Sequence, residues 1–318
     1  MPTDLNTALL HQKSATEPPM QEYTYPFDID YGVVLGCPRS GTTFLVDALQ
    51  AIENSECISG QLFPIAIAHL VNSDISLETR QTLTNSMEFS FQDYLTFNYK
   101  ARLPCLQRWL NGTMSLSELA QGLKGQRTIE RFIYKEPFLG FAPEMVYHAL
   151  PKGKIVHIYR DGRDCADSLM RKYKVLTDEK LMTLKTAEMP FGRKVDHRYV
   201  PWWVENGEEN NFLTASPFVR SVWMWKEIVK RCDEFFSRPE VEASGRVLLV
   251  RYEDLVKDPI EWAERIVDHL GGSMNNRIKK QFSQARESSV GIYKRLGGQE
   301  INAANKVAKA ELSLYGYL

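Results

Sequence analysis

Residues 31–50, YGVVLGCPRSGTTFLVDALQ, constrain the fold of this chain more than any other stretch. Residues 31–35 form a short apolar run, which is typical of a buried β-strand. Small and polar residues follow at positions 38–43, and apolar residues then recur from Phe44 to Leu49 with the spacing of an α-helix. The sequence therefore predicts a strand, a tight turn and a helix in immediate succession.

The predicted turn favours the binding of an anion. Backbone N–H groups at the start of a helix have no partner within the helix, and the helix dipole adds roughly half a positive charge there. Arg39 adds a full cation, and Thr42 and Thr43 add hydroxyl donors. A phosphate or sulfate group is the expected ligand, and an ordinary strand-to-helix turn with a polar cap is the alternative. The turn is not a Walker loop, because it lacks a Lys followed directly by Ser or Thr.

Length and composition indicate one globular α/β domain. The 318 residues are 43% apolar and 25% charged, and a net charge of −1 gives no general attraction to nucleic acid or membranes. The five cysteines are widely spaced without a C-x-x-C pair, so neither a disulfide framework nor a metal site is expected. We interpret residues 1–25 as a flexible N-terminal arm and residues 26–318 as a single domain. Because no apolar signal or membrane segment is evident, the expected location is the cytoplasm.

Further apolar runs predict strands at residues 131–135, 154–159 and 246–251, and they alternate with helical segments. This alternation predicts a central parallel sheet with helices on both faces. Ligands of such sheets bind beyond the carboxyl ends of the strands. The candidate binding residues at or just after the predicted strand ends are Arg39, Lys135, Arg160 and Tyr252.

Arg160 and Ser168 form a second candidate anion site. An Arg at a strand end can bind a phosphate through two parallel hydrogen bonds. Ser168 comes eight residues later, in the first turns of a helix predicted at 164–172, within reach of the same group. The alternative is that Arg160 makes a structural ion pair with Asp161 or Asp164.

The motif PRSGTTFL at residues 38–45 resembles the 5′-phosphosulfate loop of sulfotransferases that use 3′-phosphoadenosine 5′-phosphosulfate (PAPS). The resemblance continues in YRDGRD with Ser168, in VRYEDL at 250–255 and in RESSVG at 286–291. The pattern is most similar to bacterial and tyrosylprotein sulfotransferases. It implies a P-loop-like sulfotransferase fold with PAPS as donor, 3′-phosphoadenosine 5′-phosphate (PAP) as product and no metal.

In that family, the Arg and Ser of the second motif bind the 3′-phosphate, and the Tyr of the third helps to hold the adenine. A solvated charged segment is the alternative for the last motif. The donor-binding residues that the resemblance implies are Arg39, Ser40, Gly41, Thr42, Thr43, Phe44, Arg160, Ser168, Lys172, Tyr252, Ser288, Ser289, Gly291, Lys294 and Arg295.

Sulfuryl transfer needs fixed positive charge where the departing nucleotide gathers negative charge. Arg39 and Lys135 are the candidates, because YKEPF at 134–138 is similar to the K-D-P-F motif of tyrosylprotein sulfotransferases, whose Lys stabilises the transition state. A base must also take the proton of the acceptor. The relatives use a Glu shortly after the first helix, where this chain has Gln61. We therefore predict Glu136 as the base; its alternative role is that of a structural partner of Lys or Arg. The further candidates for the base are His69, His148 and His197, although a lone His more often has a structural role.

The residues that select the acceptor are weakly marked. Residues 175–217 show no clear period, and we interpret them as a lid or acceptor-site insertion. Trp202 and Trp203 are candidates for an aromatic wall, with Gln61 as a further substrate contact. Glutamates at 205, 208 and 209 would attract a basic acceptor, and a solvated surface loop is the alternative.

The sequence as a whole predicts a PAPS-dependent sulfotransferase that modifies a hydroxyl or amine of a small molecule, such as a basic natural product of secondary metabolism. Tyrosine sulfation in peptides is disfavoured by Gln61 and by the lack of a secretory signal. Alternatives from other classes are a P-loop-type small-molecule kinase and a catalytically inactive nucleotide-binding protein. The expected partners are the nucleotide donor and a small acceptor, without nucleic acid or membrane, and a homodimer is left open.

Overall fold

The computed structural model describes residues 28–60, 62, 66–97, 102–183 and 192–318. The arm predicted at 1–25 and the candidate Gln61 lie outside these residues. The strands are β1 Asp30–Leu35, β2 Ser55–Ser59, β3 Arg131–Lys135, β4 Lys154–Tyr159, β5 Gly192–Val195, β6 Arg198–Pro201 and β7 Val247–Arg251.

The α-helices are α1 Thr42–Leu49, α2 Ile67–Val71, α3 Leu77–Phe97, α4 Arg102–Leu110, α5 Leu116–Lys124, α6 Pro143–Ala149, α7 Gly162–Tyr173, α8 Asp178–Leu181, α9 Glu209–Thr214, α10 Pro217–Phe236, α11 Pro239–Ala243, α12 Tyr252–Lys257, α13 Pro259–His269, α14 Asn276–Phe282, α15 Gly298–Val307 and α16 Lys309–Leu314. Short 3₁₀ helices cover Pro137–Phe141, Glu287–Ser289 and Ile292–Arg295.

Five strands form one parallel sheet in the order β2-β3-β1-β4-β7, which confirms the predicted fold class. Successive residues of a strand point to opposite faces of the sheet. In β1, Val33 and Leu35 pack into the core on one face, and Val34 packs into the core on the other. Because both faces of the central strands are covered, the middle residues of β1, β3 and β4 are mostly apolar, and this is why these strands were recognisable in the sequence.

The sheet places the candidate site at its centre. β1 pairs with β3 on one side and with β4 on the other. The chain leaves β1 toward β2, on the β3 side, whereas β4 and β7 lie on the opposite side. The strand order therefore reverses next to β1, and ligands of open α/β sheets bind at such a point.

Residues 175–217 differ from the sequence prediction, since they are partly regular. They contain α8, a hairpin of β5 and β6, and α9. Asp196 turns the chain between the two strands with a φ of 53°. Each strand has four residues and too many polar side chains to show an alternating pattern, so the hairpin left no signal in the sequence. Among the described helices, none has both the length and the apolar character that a membrane span requires.

Candidate functional site

The turn after β1 has the local geometry of an anion cradle. The Ser40 N–H donates to the Cys37 carbonyl oxygen at 3.0 Å, and α1 begins at Thr42. Arg39 and Gly41 both have left-handed backbone conformations, with φ of 75° and 107°. Gly41 is the N-cap of α1 and offers no side chain to the first turn of that helix. The first amide groups of α1 are therefore available to a ligand.

The two anion sites predicted from separate motifs lie side by side. The Arg39 Nε donates a hydrogen bond to the Ser168 Oγ at 2.9 Å, across 129 residues of sequence. Ser168 lies on α7, which follows β4, the strand next to β1. Neighbouring strand ends thus bring the turn of the first motif against the helix of the second.

Arg160 is a buried cation at the end of β4. Its guanidinium carbon lies 4.5 Å from the centre of the Tyr252 ring, and it donates to the carbonyl oxygens of Arg39 and Ser289. Arg160 also forms an ion pair with Asp164 at 3.5 Å, which is one of the two structural ion pairs that the sequence left open. The other candidate, Asp161, pairs with Arg163 instead. The ion pair and a role in ligand binding are compatible, because the Arg160 side chain still lines the cavity described below.

Lys135 ends β3 and reaches over the first motif. Its Nζ donates to the Thr43 Oγ1 at 3.3 Å and to the Ser59 Oγ at 3.0 Å. Burial lowers the pKa of Lys135, whereas the neighbouring carboxylates of Glu136 and Asp47 raise it. An ammonium group held by two neutral hydroxyls keeps its charge available for an anionic ligand.

Glu136 follows Lys135 directly and is buried, with 7% of its surface exposed. It is the N-cap of the 3₁₀ helix Pro137–Phe141, and its Oε1 accepts from the Phe138 N–H at 3.2 Å. Burial raises the pKa of Glu136, against the opposing effects of the Phe138 N–H and of Lys135. Sequence alone could not decide between these effects. A catalytic role for Glu136 stays a prediction.

One cavity of about 1080 Å³ collects most of the predicted residues. The predicted residues that line it are Arg39, Gly41, Thr42, Thr43, Phe44, Lys135, Glu136, Arg160, Ser168, Lys172, Tyr252 and Ser289. Sequence reasoning missed other lining residues, among them Asp47, Ser59 and Arg171. For Asp47 a signal existed, because it stands one helical turn after Thr43 on a helix whose start was predicted.

Other predicted donor-binding residues lie beside this cavity without lining it. Ser40 is fully buried beneath the turn. Within the segment 287–295, the Gly291 N–H donates to the Asp164 Oδ2 at 2.7 Å, and Arg295 donates to the Asp167 Oδ1 at 2.6 Å. Ser288 and Lys294 are exposed. Two buried aspartates of α7 therefore hold this segment, and its residues Ser289 and Ile292 line the cavity.

The two tryptophans predicted to contact the acceptor pack in or against the hydrophobic core, outside the lining of the cavity. Trp203 is 2% exposed and packs against Phe141 and Phe212. Trp202 packs against Phe141 and His69, and neither tryptophan lines the cavity.

Two of the three glutamates in this region have basic partners. Glu205 pairs with Lys230 at 3.2 Å, and Glu209 pairs with Arg193 at 2.8 Å. Glu208 accepts a hydrogen bond from the Asn211 side-chain amide at 2.8 Å. These interactions favour a structural role for the three carboxylates over the attraction of a basic acceptor. Across the described residues, no group of His, Cys, Asp and Glu is arranged to hold a metal ion.

Comparison with known proteins gives a family for the chain. The family model described as "Sulfotransferase family" matches residues 33–276. No curated protein matches the chain significantly.

Several solved structures are similar to this chain at 14% identity. The sulfotransferase domain of the Synechococcus PCC 7002 olefin synthase has a TM-score of 0.47, with 92% of this chain and 98% of that chain covered. A sulfotransferase from Mycobacterium avium has a TM-score of 0.45, covering 90% and 76%. A retinol dehydratase solved with retinol and PAP has a TM-score of 0.38, covering 91% and 83%.

The family match spans the sheet from β1 to β7, the turn with Arg39, and the residues Lys135, Arg160 and Ser168. The resemblance stated from the sequence motifs is thereby confirmed. The chain belongs to the sulfotransferase family, and it is an enzyme that transfers a sulfuryl group.

Proposed function

We propose that this sulfotransferase takes its sulfuryl group from PAPS and transfers it to a hydroxyl or amine of a small-molecule acceptor. The observation that carries the proposal is the contact between Arg39 and Ser168, at 2.9 Å, inside one cavity. A bisphosphorylated nucleoside has two anionic ends, and the two motifs provide one anion site for each end. The Arg39 turn would hold the 5′-phosphosulfate, and Arg160 with Ser168 would hold the 3′-phosphate.

The charge of the cavity suits such a donor. Six cationic side chains line it, namely Arg39, Lys135, Arg160, Arg171, Lys172 and Arg286. Two carboxylates, Asp47 and Glu136, line it as well. In a chain with a net charge of −1, this excess of cations is local and supports a ligand with several negative charges.

Tyr252 supports the nucleoside end of the proposal. Its ring lies beneath the Arg160 guanidinium, and its hydroxyl shares a 2.9 Å hydrogen bond with the Ser289 Oγ. A ring fixed by contacts at one face and at its hydroxyl gives a rigid aromatic surface for a base to contact. Lys172 lines the same cavity from α7 and adds a further cation.

Lys135 and Arg39 would supply the electrostatic part of catalysis. When bound, PAPS would supply a sulfuryl group on a good leaving group. Lys135, placed between Thr43 and Ser59, would offset the negative charge that gathers on the bridging oxygen. Glu136, which the sequence predicts as the base, lines the same cavity, and burial raises its pKa.

The apolar residues of the cavity wall favour an acceptor that is a small molecule with an apolar body. Phe138, Leu169, Tyr173 and Val175 line the cavity together with Lys135. Apolar walls around a few polar groups are typical of small-molecule sites. Within the segment 175–217, which is predicted to be a lid, Val175 lines the cavity and supports that prediction. The place of this reaction in secondary metabolism stays a prediction.

Calorimetry with PAP and with ATP–Mg²⁺ tests the donor. PAP should bind without added metal, and ATP–Mg²⁺ should bind more weakly, because the turn lacks the Lys-Ser/Thr pair of a Walker loop. Tighter binding of ATP–Mg²⁺ would favour a kinase and contradict the proposal. Transfer of ³⁵S from labelled PAPS to a panel of phenols and amines separates an active enzyme from an inactive nucleotide-binding protein.

A further inference from the structure

The carboxylate of Asp47 lines the same cavity as Glu136 and Lys135. Asp47 lies on α1, one helical turn after Thr43, and residues four apart share one face of a helix. The Thr43 Oγ1 accepts a hydrogen bond from the Lys135 Nζ at 3.3 Å. The face of α1 that meets Lys135 therefore continues to Asp47, and both side chains line the same cavity.

The environment of Asp47 is that of a usable base. Lys135 lowers the pKa of Asp47, but partial burial between the cavity walls has the larger effect and raises it. Asp47 in turn raises the pKa of Lys135. Each group therefore senses the charge of the other. Within the described part of the chain, no hydrogen-bond donor occupies the Asp47 carboxylate.

Glu136 has a different environment, although it also lines the cavity. One of its oxygens accepts the Phe138 N–H at 3.2 Å and thereby caps the 3₁₀ helix that follows β3. Glu136 is 7% exposed, whereas the Asp47 side chain is exposed to the cavity. A base must reach the proton of the acceptor within hydrogen-bond distance, and the exposed carboxylate meets this condition better.

We propose that Asp47 is the residue that accepts the proton of the acceptor hydroxyl or amine. This inference rests on the proposed function and deepens it. The acceptor O–H or N–H bond breaks, its proton passes to the Asp47 carboxylate, and its electron pair forms the new bond to sulfur. The bond between sulfur and the bridging oxygen breaks, and that electron pair stays on the oxygen, beside Lys135.

The test compares Asp47→Asn with Glu136→Gln in the full chain. The measurements are ³⁵S transfer from labelled PAPS to simple phenols and primary amines, PAPS hydrolysis without an acceptor, and PAP affinity by calorimetry. Glu53→Gln is the matched control, because it removes the same charge from a carboxylate that pairs with Arg277 at 2.9 Å and does not line the cavity. Its activity should equal that of the wild type.

Asp47→Asn should lower kcat by about 10²–10⁴-fold, the usual contribution of a general base. Its affinity for PAP should be equal or higher, because the variant removes a negative charge from a cavity that binds an anion. A merely structural role would weaken PAP binding as well. Glu136→Gln should lose less activity, since the amide oxygen of Gln can still accept the Phe138 N–H.

Two outcomes would overturn the assignment. One is an Asp47→Asn variant that keeps about a tenth or more of the wild-type kcat, which is outside the range of a lost base. The other is a parallel loss of PAP affinity and kcat. A wild-type protein that neither binds PAP nor releases sulfate from PAPS would instead refute the proposed function, and this inference with it.

Discussion

Gly41→Ala should damage both the stability of the protein and its nucleotide site. Gly41 has a φ of 107°, a backbone conformation that residues other than glycine rarely adopt. A Cβ atom at this position would lie 2.6 Å from the Tyr252 Cδ2 and 3.2 Å from the Ile158 Cδ1. The Tyr252 ring cannot move away easily, because it is 8% exposed, with Arg160 against one face and the Ser289 Oγ at its hydroxyl.

The magnitude follows from two separate costs. Backbone strain at such a position costs about 1–3 kcal/mol. Forcing an extra methyl group into a packed site costs about 1–3 kcal/mol more. The free energy of unfolding should therefore fall by about 2–6 kcal/mol. Because the displaced ring supports Arg160, the affinity for PAP should fall by about tenfold or more, which corresponds to about 1.4 kcal/mol.

Urea unfolding followed by circular dichroism measures the first effect, and calorimetry with PAP measures the second. Gly298→Ala is the matched control, since Gly298 begins α15 and a Cβ there would meet nothing within 4 Å. This control should be neutral or more stable by about 0.4–1 kcal/mol. If Gly41→Ala stays within about 0.5 kcal/mol of the wild type and binds PAP normally, the strain argument for this turn is wrong.

Three further predictions concern charged or hydrogen-bonding side chains. Lys135→Ala should lower kcat by about 10²–10³-fold in ³⁵S transfer, with a much smaller effect on PAP affinity; equal losses in both would contradict a role in the transition state. Arg160→Ala should cost about 1.5–3 kcal/mol of PAP binding by calorimetry and Ser168→Ala about 0.5–1.5 kcal/mol, and unchanged affinity in both would refute the 3′-phosphate site. Burial lowers the pKa of His157 from 6.5 to about 4, so the unfolded chain takes up this proton first as the pH falls. This histidine therefore removes up to about 3 kcal/mol of stability between roughly pH 6.5 and 4, and His157→Phe should flatten the fall in urea-unfolding free energy over that range; an unchanged slope would contradict it.

The sequence by itself determined the sheet and the local motifs. The middle of a strand such as Lys154–Tyr159 is buried on both faces, and burial of this kind requires mainly apolar residues, which the sequence shows directly. The turn at Arg39 is equally local, because a strand, a small-residue turn and a helix start follow one another without a gap. Parallel strands also align their carboxyl ends, so Lys135 and Arg160 could be assigned to one edge of the sheet in advance.

Tertiary structure decided what each side chain of that edge contacts. Arg39 meets Ser168 across 129 residues because β1 and β4 are neighbours, an order that no local pattern encodes. The same packing buries Trp203 in the core and places Asp47 and Lys135 in the lining of one cavity. Local sequence encodes which groups a segment carries. Burial and proximity, which set pKa values and partners, depend on elements that are distant in the chain and exist only in the folded protein.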